Sequence, residues 1–272
     1  MSGPNARRPS RRTGRGGGAA EPAGDVVSGR RAALEAIRAG LATSVLIARG
    51  ARATPGLSDV LAAAAEAGVR VAEEDRARLD ALATDHRGVV AYVRPASSLG
   101  ERDLLTWPFD EDDLVVVLDG IEDPHNLGAA ARAAEAAGAA MLVSRTRRAA
   151  DVTDAAIRAS AGALLHLPHA RVANISRAID RLKDTGFAVV GLDEGAPASV
   201  YDSTAPRGKV AIVLGSEGSG MSRLVREACD DLVRLPMRGR VGSLNASTSL
   251  AAVLYAWVLP SRRRPEGPAA GT

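Results

Sequence analysis

Residues Leu114–Val143 read LVVVLDGIEDPHNLGAAARAAEAAGAAMLV. An apolar run, Leu114–Leu118, gives way to a polar loop, Asp119–Gly128, then to a helical stretch, Gly128–Ala137, and a second apolar run, Ala140–Val143. Two buried runs joined through a loop and a helix read as parallel strands with a crossover between them. The rhythm continues through Val152–Ser160, Ile175–Leu182, Ala188–Leu192, Val210–Leu214, Met221–Ala228, Leu232–Leu235 and Ser247–Val258. It predicts an α/β domain over residues 114–260, with a mainly parallel sheet covered on both faces. Ligands of such sheets sit beyond the carboxyl ends of strands, so the loops after Leu118, Leu214 and Leu235 are the places to look.

Upstream lies a smaller α/β unit, residues 25–95. Its helical stretches are Arg31–Ile37, Leu57–Ala67 and Arg76–Ala83, and its extended runs are Ser44–Ala48, Val69–Ala72 and Gly88–Val93. Residues 96–113, with Pro108 and the acidic run Asp110–Asp113, read as a linker between the two domains. Residues 1–24 are dense in Arg, Gly and Pro and nearly lack large apolar side chains, so they are expected to form a disordered basic arm; residues 261–272 read as a disordered tail.

Composition narrows the function. Aromatic residues make up only 3% of the 272, which argues against a stacking platform for single strands. A single cysteine, Cys229, excludes an internal disulfide framework, and four scattered histidines lack a zinc-ligand spacing. No apolar run is long enough to span a membrane and no secretory signal opens the chain, so a cytoplasmic protein is expected. The net charge of +3 is a property of the ends: the arm carries +4 and the tail +2, which leaves −3 for residues 25–260. A nucleic-acid partner must therefore be held by local arginine clusters.

The three loops named above are polar and rich in glycine. The second, Gly215–Met221, has the spacing G-x-x-G-x-G, which is neither the dinucleotide fingerprint nor the triphosphate loop. Its glycines allow a ligand close to backbone, or simply a tight strand-to-helix turn. The third, Pro236–Ser247, opens the last apolar helix.

Taken together, Leu118–Arg132 (LDGIEDPHNLGAAAR), Val213–Met221 (VLGSEGSGM) and Leu235–Ser247 (LPMRGRVGSLNAS) resemble the three ordered motifs of the SpoU, or TrmH-type, RNA ribose 2′-O-methyltransferases of the SPOUT superfamily. The resemblance covers about residues 26–260; the first domain is similar to the small RNA-binding domain of ribosomal-protein L30e type carried by many members. It implies a trefoil-knotted second domain, S-adenosyl-L-methionine as cofactor, and an active site completed across a homodimer. By position the cofactor site maps onto Gly215, Leu235 and Leu244, with Leu214, Glu217, Gly218, Met237 and Asn245 contributing.

The family's polar positions match as Asn126, Arg132, Glu217, Ser243 and Asn245. Methyl transfer to a hydroxyl needs alignment and proton removal. A guanidinium is a poor base, so Arg132 is expected to act mainly as a cation beside the developing alkoxide. Asn126 and Asn245 are suited to holding Arg132 and the ribose edge, and Glu217 to anchoring a backbone or guanidinium group. Asn126 could also cap the helix that follows, Ser243 could be only a cap, and His125 has a minor claim as general base.

Arg145, Arg147, Arg148, Arg238 and Arg240 are phosphate-contact candidates. In the first domain Arg30, Arg31 and Arg87 stand at positions used by related RNA-binding domains, although Arg31 replaces an expected smaller polar residue. The implied partners are RNA and a second copy of the chain, with neither DNA nor membrane. The resemblance points most closely to enzymes methylating a guanosine of 23S rRNA. Methylation of tRNA, methylation of an rRNA adenosine that confers antibiotic resistance, and a non-catalytic RNA-binding role are the alternatives.

Overall fold

A computed structural model describes residues 25–94, 99–240 and 242–261; residues 1–24, 95–98, 241 and 262–272 lie outside the described residues, and with them the expected basic arm and nearly all of the expected tail. The chain builds two sheets. The first comprises β1 (Asp25–Ser28), β2 (Ala42–Ala48), β3 (Arg70–Glu74) and β4 (Val89–Val93) in the order β1-β4-β2-β3, with only β2 and β3 parallel. Its helices are α1 (Arg30–Arg38), α2 (Pro55–Glu66) and α3 (Arg76–Leu82). Pro55 occupies the first turn of α2, where its missing N–H costs nothing, and Thr54 accepts from Leu57 N.

The second sheet is parallel throughout, in agreement with the alternation of apolar runs and helices. Its strands are β5 (Leu114–Asp119), β6 (Met141–Arg145), β7 (His169–Val172), β8 (Ala188–Leu192), β9 (Ala198–Ser199), β10 (Val210–Gly215) and β11 (Asp231–Arg234). They lie in the order β7-β6-β5-β10-β8-β11-β9. The helices are α4 (Asp103–Thr106), α5 (Pro124–Ala136), α6 (Asp154–Ala159), α7 (Ile175–Asp184), α8 (Arg223–Ala228) and α9 (Ala246–Val253), the last continued by a π-helical stretch, Leu254–Val258.

β5 is buried along its whole length because its alternate side chains feed different layers. Leu114, Val116 and Leu118 pack with Leu127, Ala130 and Ala134 of α5 and Leu250 and Val253 of α9. Val115 and Val117 pack with Ile175, Ile179 and Leu182 of α7 and Val225 of α8. Glycine at position 128 of α5 is what lets α6 come close: a Cβ there would lie 2.5 Å from Ala156 O.

The stretch expected as a linker is, from residue 99 onward, packed on the second sheet. Leu99 bridges to Ala170, Leu104 of α4 is fully buried, and Phe109 meets Phe187 edge to face at 4.8 Å. Its acidic run concealed these apolar anchors. The two sheets also share a polar clasp. Ser28, fully buried at the end of β1, donates from N and Oγ to the Asp154 carboxylate, each at 2.7 Å, and Arg158 closes the cluster. His166 Nε2 lies 3.0 Å from Glu35 Oε2 beside it. Among the described residues no helix is long and apolar enough to cross a membrane.

Candidate active site

The carboxyl ends of β8, β10 and β11 open into one cleft of about 1070 Å³, a volume sufficient for a small-molecule ligand, while the loop after β5 reaches its edge only through Asn126. Its lining includes every residue expected at the cofactor site: Leu214, Gly215, Glu217, Gly218, Leu235, Met237, Leu244 and Asn245, with Ser243 beside them. Leu244 is 44% exposed and Met237 36%, so apolar surface faces the opening without a protein partner. Flat apolar contact next to accessible backbone fits an adenosine group.

Three side chains from three loops meet at one edge. Asn126, in the first turn of α5, donates from Nδ2 to Glu217 Oε1 at 3.0 Å. Asn245 donates from Nδ2 to Asn126 Oδ1 at 2.9 Å and also to Glu217 Oε1, which Ala246 N approaches at 3.4 Å. The other end of Asn245 is fixed too, since its Oδ1 caps α9 by accepting from Ser247 N at 3.0 Å and Thr248 N at 3.4 Å. One carboxylate oxygen thus gathers the ends of two helices, and no hydrogen bond engages Glu217 Oε2 among the described residues.

The helix-capping expectations change. Asp123, not Asn126, caps α5 by accepting from His125 N at 2.9 Å, and Asn245, not Ser243, caps α9. Asn126 is thereby left free for Glu217. The exposed side chain of His125 has no partner among the described residues.

Arg132 is not held by the asparagines. It lies six residues along α5 from Asn126, about 9 Å of rise and on another face, and its exposed guanidinium has no partner among the described residues. The phosphate-contact candidates divide. Arg145 is engaged by the buried carboxylate of Asp119 at 2.6 Å, and Arg30 donates to Thr54 Oγ1 at 2.6 Å, so both serve the fold. Arg31, Arg87, Arg147, Arg148, Arg238 and Arg240 are exposed and unpaired among the described residues. His86 is structural: its buried ring accepts from Gly88 N at 2.9 Å and meets Asp80 Oδ1 at 2.8 Å.

Sequence reasoning missed the loop after β8, Asp193–Gly195, which also lines the cleft. The signal was available, because Ala188–Leu192 ends in Asp-Glu-Gly and the same strand-end rule applies to it. Burial pushes the Cys229 thiol up to about 12, against a smaller opposing pull from Lys183, which disfavours the nucleophilic thiolate at neutral pH.

Comparison with known proteins agrees with this geometry. The SpoU rRNA methylase family matches residues 113–255, and residues 26–99 match the RNA 2′-O ribose methyltransferase substrate-binding family. An uncharacterized tRNA/rRNA methyltransferase of Mycobacterium bovis is 39% identical over 248 residues, covering 90% of this chain and 76% of its own. The SpoU methyltransferase AviRb of Streptomyces viridochromogenes, solved with AdoMet, superposes with a TM-score of 0.69 at 29% identity, over 85% of this chain and 87% of its own. An RNA 2′-O ribose methyltransferase structure gives a TM-score of 0.73 at 30% identity, over 87% and 88% of the two chains. This chain belongs to the SpoU rRNA methylase family and is an RNA methyltransferase.

Proposed function

We propose that the protein transfers a methyl group from S-adenosylmethionine to the ribose 2′-hydroxyl of a guanosine in 23S rRNA, as a cytoplasmic homodimer. The observation that carries this reading is the cluster of Asn126, Glu217 and Asn245 beside an apolar cleft fit for adenosine. A bare RNA-binding module has no need of a carboxylate oriented by two asparagines. The matched substrate-binding family supports RNA as the acceptor, and the SpoU rRNA methylase match supports ribosomal RNA.

The bound cofactor supplies an electrophilic methyl on sulfur. The chain's own residues then have separate tasks. Leu235, Met237 and Leu244 hold the adenine by apolar contact and keep water from it. Glu217, locked through Oε1, presents Oε2 to accept a hydrogen bond from the incoming ribose hydroxyl. Ser243 lines the same edge and orients the ribose. Arg132 supplies positive charge to the oxygen as its proton leaves. Because its guanidinium stands away from the cluster in one protomer, the partner's copy is assigned that place, which makes the site complete only in the dimer.

Arg31 and Arg87 of the first domain and Arg147, Arg148, Arg238 and Arg240 of the second are assigned to phosphates, with the basic arm adding a sequence-independent attraction. The trefoil knot implied by the resemblance belongs to this reading.

The test is methylation of purified total RNA with labelled S-adenosylmethionine, followed by fractionation and mapping. Label in 23S rRNA at the 2′-O of a guanosine is expected. Label in tRNA alone, or on adenosine, would replace the proposed substrate while leaving the cofactor assignment intact.

A further inference from the structure

On the reading that the cleft holds S-adenosylmethionine, we infer that Glu194 anchors the two ribose hydroxyls of that donor. The sheet order decides the placement. β8 lies between β10 and β11, so their carboxyl ends stand side by side along the cleft. The loop after β10 brings Glu217 to the cluster with Asn126 and Asn245, and the loop after β11 brings Leu235 and Met237. With strands roughly 4.8 Å apart, the reactive edge and the apolar edge are separated by about 10 Å, and the loop after β8 stands between them. In the donor, ribose connects adenine to sulfur. Adenine at one edge and the reacting methyl at the other put the sugar opposite Asp193–Gly195.

Among the charged side chains lining this cleft, Glu194 alone remains uncommitted among the described residues. Asp193 accepts from Gly195 N at 2.8 Å and pairs with Arg226 at 3.2 Å. Arg234 donates to the carbonyls of Ala196 and Pro197, and Glu217 accepts from Asn126 and Asn245. Glu194 is exposed at the cleft and has no hydrogen bond or ion pair among the described residues. A carboxylate has two acceptor oxygens, which match a pair of vicinal hydroxyl donors, and charge assistance strengthens both bonds. Glu194 is on this view a donor-binding residue that leaves proton removal to others.

Calorimetry on the full-length protein separates this role from a general charge effect. The ligands are S-adenosylmethionine, 5′-methylthioadenosine, which lacks the amino-acid part, and 5′-methylthio-2′-deoxyadenosine, which also lacks one hydroxyl. Glu194→Ala should weaken the first two by a similar factor of about 10–100, the scale of hydrogen bonds to a charged group, and should weaken the deoxy ligand, which keeps one hydroxyl for the carboxylate, by a clearly smaller factor. Glu194→Gln should recover part of the affinity. Unchanged thermal stability is expected, since the side chain is exposed. Unaltered affinity of Glu194→Ala for both ribo-ligands would overturn the inference, as would a loss equally large for the deoxy ligand. A loss confined to S-adenosylmethionine would assign Glu194 to the ammonium group instead and overturn it too. Failure of the unaltered protein to bind S-adenosylmethionine would overturn the underlying cofactor reading.

Discussion

Arg145 lies 2.6 Å from Asp119, whose carboxylate is only 3% exposed and whose other oxygen accepts from Ser222 N at 2.8 Å. The pair ties the ends of β5 and β6 to the residue that follows the glycine loop after β10. Removing the arginine leaves a buried charge with one partner fewer. Arg145→Ala should therefore lower stability by about 2 kcal/mol, discounted from the full buried-pair cost because the guanidinium is 30% exposed. Chemical denaturation checks the loss, and calorimetry should show weaker donor binding as the loop loosens. Retention of both would mean that Asp119 is held adequately by Ser222 alone.

Gly215 and Gly218 belong to one loop and should respond differently. A Cβ at Gly215 would lie 2.1 Å from Gly220 C and 2.2 Å from Met221 N, inside the turn closed by Ser216 and Gly220. The obstruction is the loop's own backbone. Gly215→Ala should abolish measurable donor binding. At Gly218, with φ of +82°, a Cβ meets nothing within 4 Å, so Gly218→Ala should cost only the left-handed backbone penalty of about 1–2 kcal/mol. Equal effects of the two substitutions on donor affinity would contradict this reading of the loop.

His169 sets part of the pH dependence of stability. Burial, with a smaller push from Arg171, lowers its pKa to about 4, and its Nε2 lies 2.8 Å from Ser144 Oγ. The unfolded chain, with histidine near 6.5, binds the proton between these values and the folded chain does not. The stabilising contribution is thus complete above about pH 6.5 and is lost as pH falls toward 4, by up to about 3 kcal/mol. Urea midpoints at pH 7.5, 6 and 5 should decline accordingly, and His169→Gln should flatten the decline. An unchanged slope in the variant would assign the acid sensitivity to other groups.

Much of this was legible in the letters. Leu114–Leu118 and Val210–Leu214 could be read as strands because they are buried on both faces, and the strand-end rule found two of the three loops that line the cleft, the third expected loop reaching its edge through Asn126. The edge strand β7, with the sequence His-Ala-Arg-Val, carries no continuous apolar run and could not be read from periodicity. α4 was hidden in a charged segment where Leu104 supplies the burial. The partners of Arg145 and Arg30 were equally invisible, since a sequence shows an arginine's charge and not the carboxylate or hydroxyl that folding brings to it. The same limit separated Arg132 from Asn126: their spacing in the motif looked like proximity, whereas helical geometry sends them to different faces.

The first domain should act through its docking as well as its own arginines. Ser28 and Asp154 bury a clasp between the sheets, adjacent to the α6 surface on which Gly128 of α5 packs. Asp154→Ala should cost about 2 kcal/mol by stripping the buried Ser28 N and Oγ of their acceptor, and should lower RNA methylation more than donor affinity. Parallel loss of both would point to general unfolding, which circular dichroism would reveal.

The most direct measurement pairs turnover with donor affinity in Arg132→Ala, using rRNA, a methyl donor labelled with deuterium, and mass spectrometry of the released nucleosides. The unaltered protein should place the label on a ribose 2′-oxygen. The variant should lose at least about a hundredfold in rate with calorimetric donor affinity nearly unchanged, as expected when one preorganised charge is removed. Arg132→Lys should recover only part of the rate, because a point charge replaces the planar fork. Label on a nucleobase, or full turnover in Arg132→Ala, would contradict a ribose methyltransferase whose transition state is stabilised by Arg132.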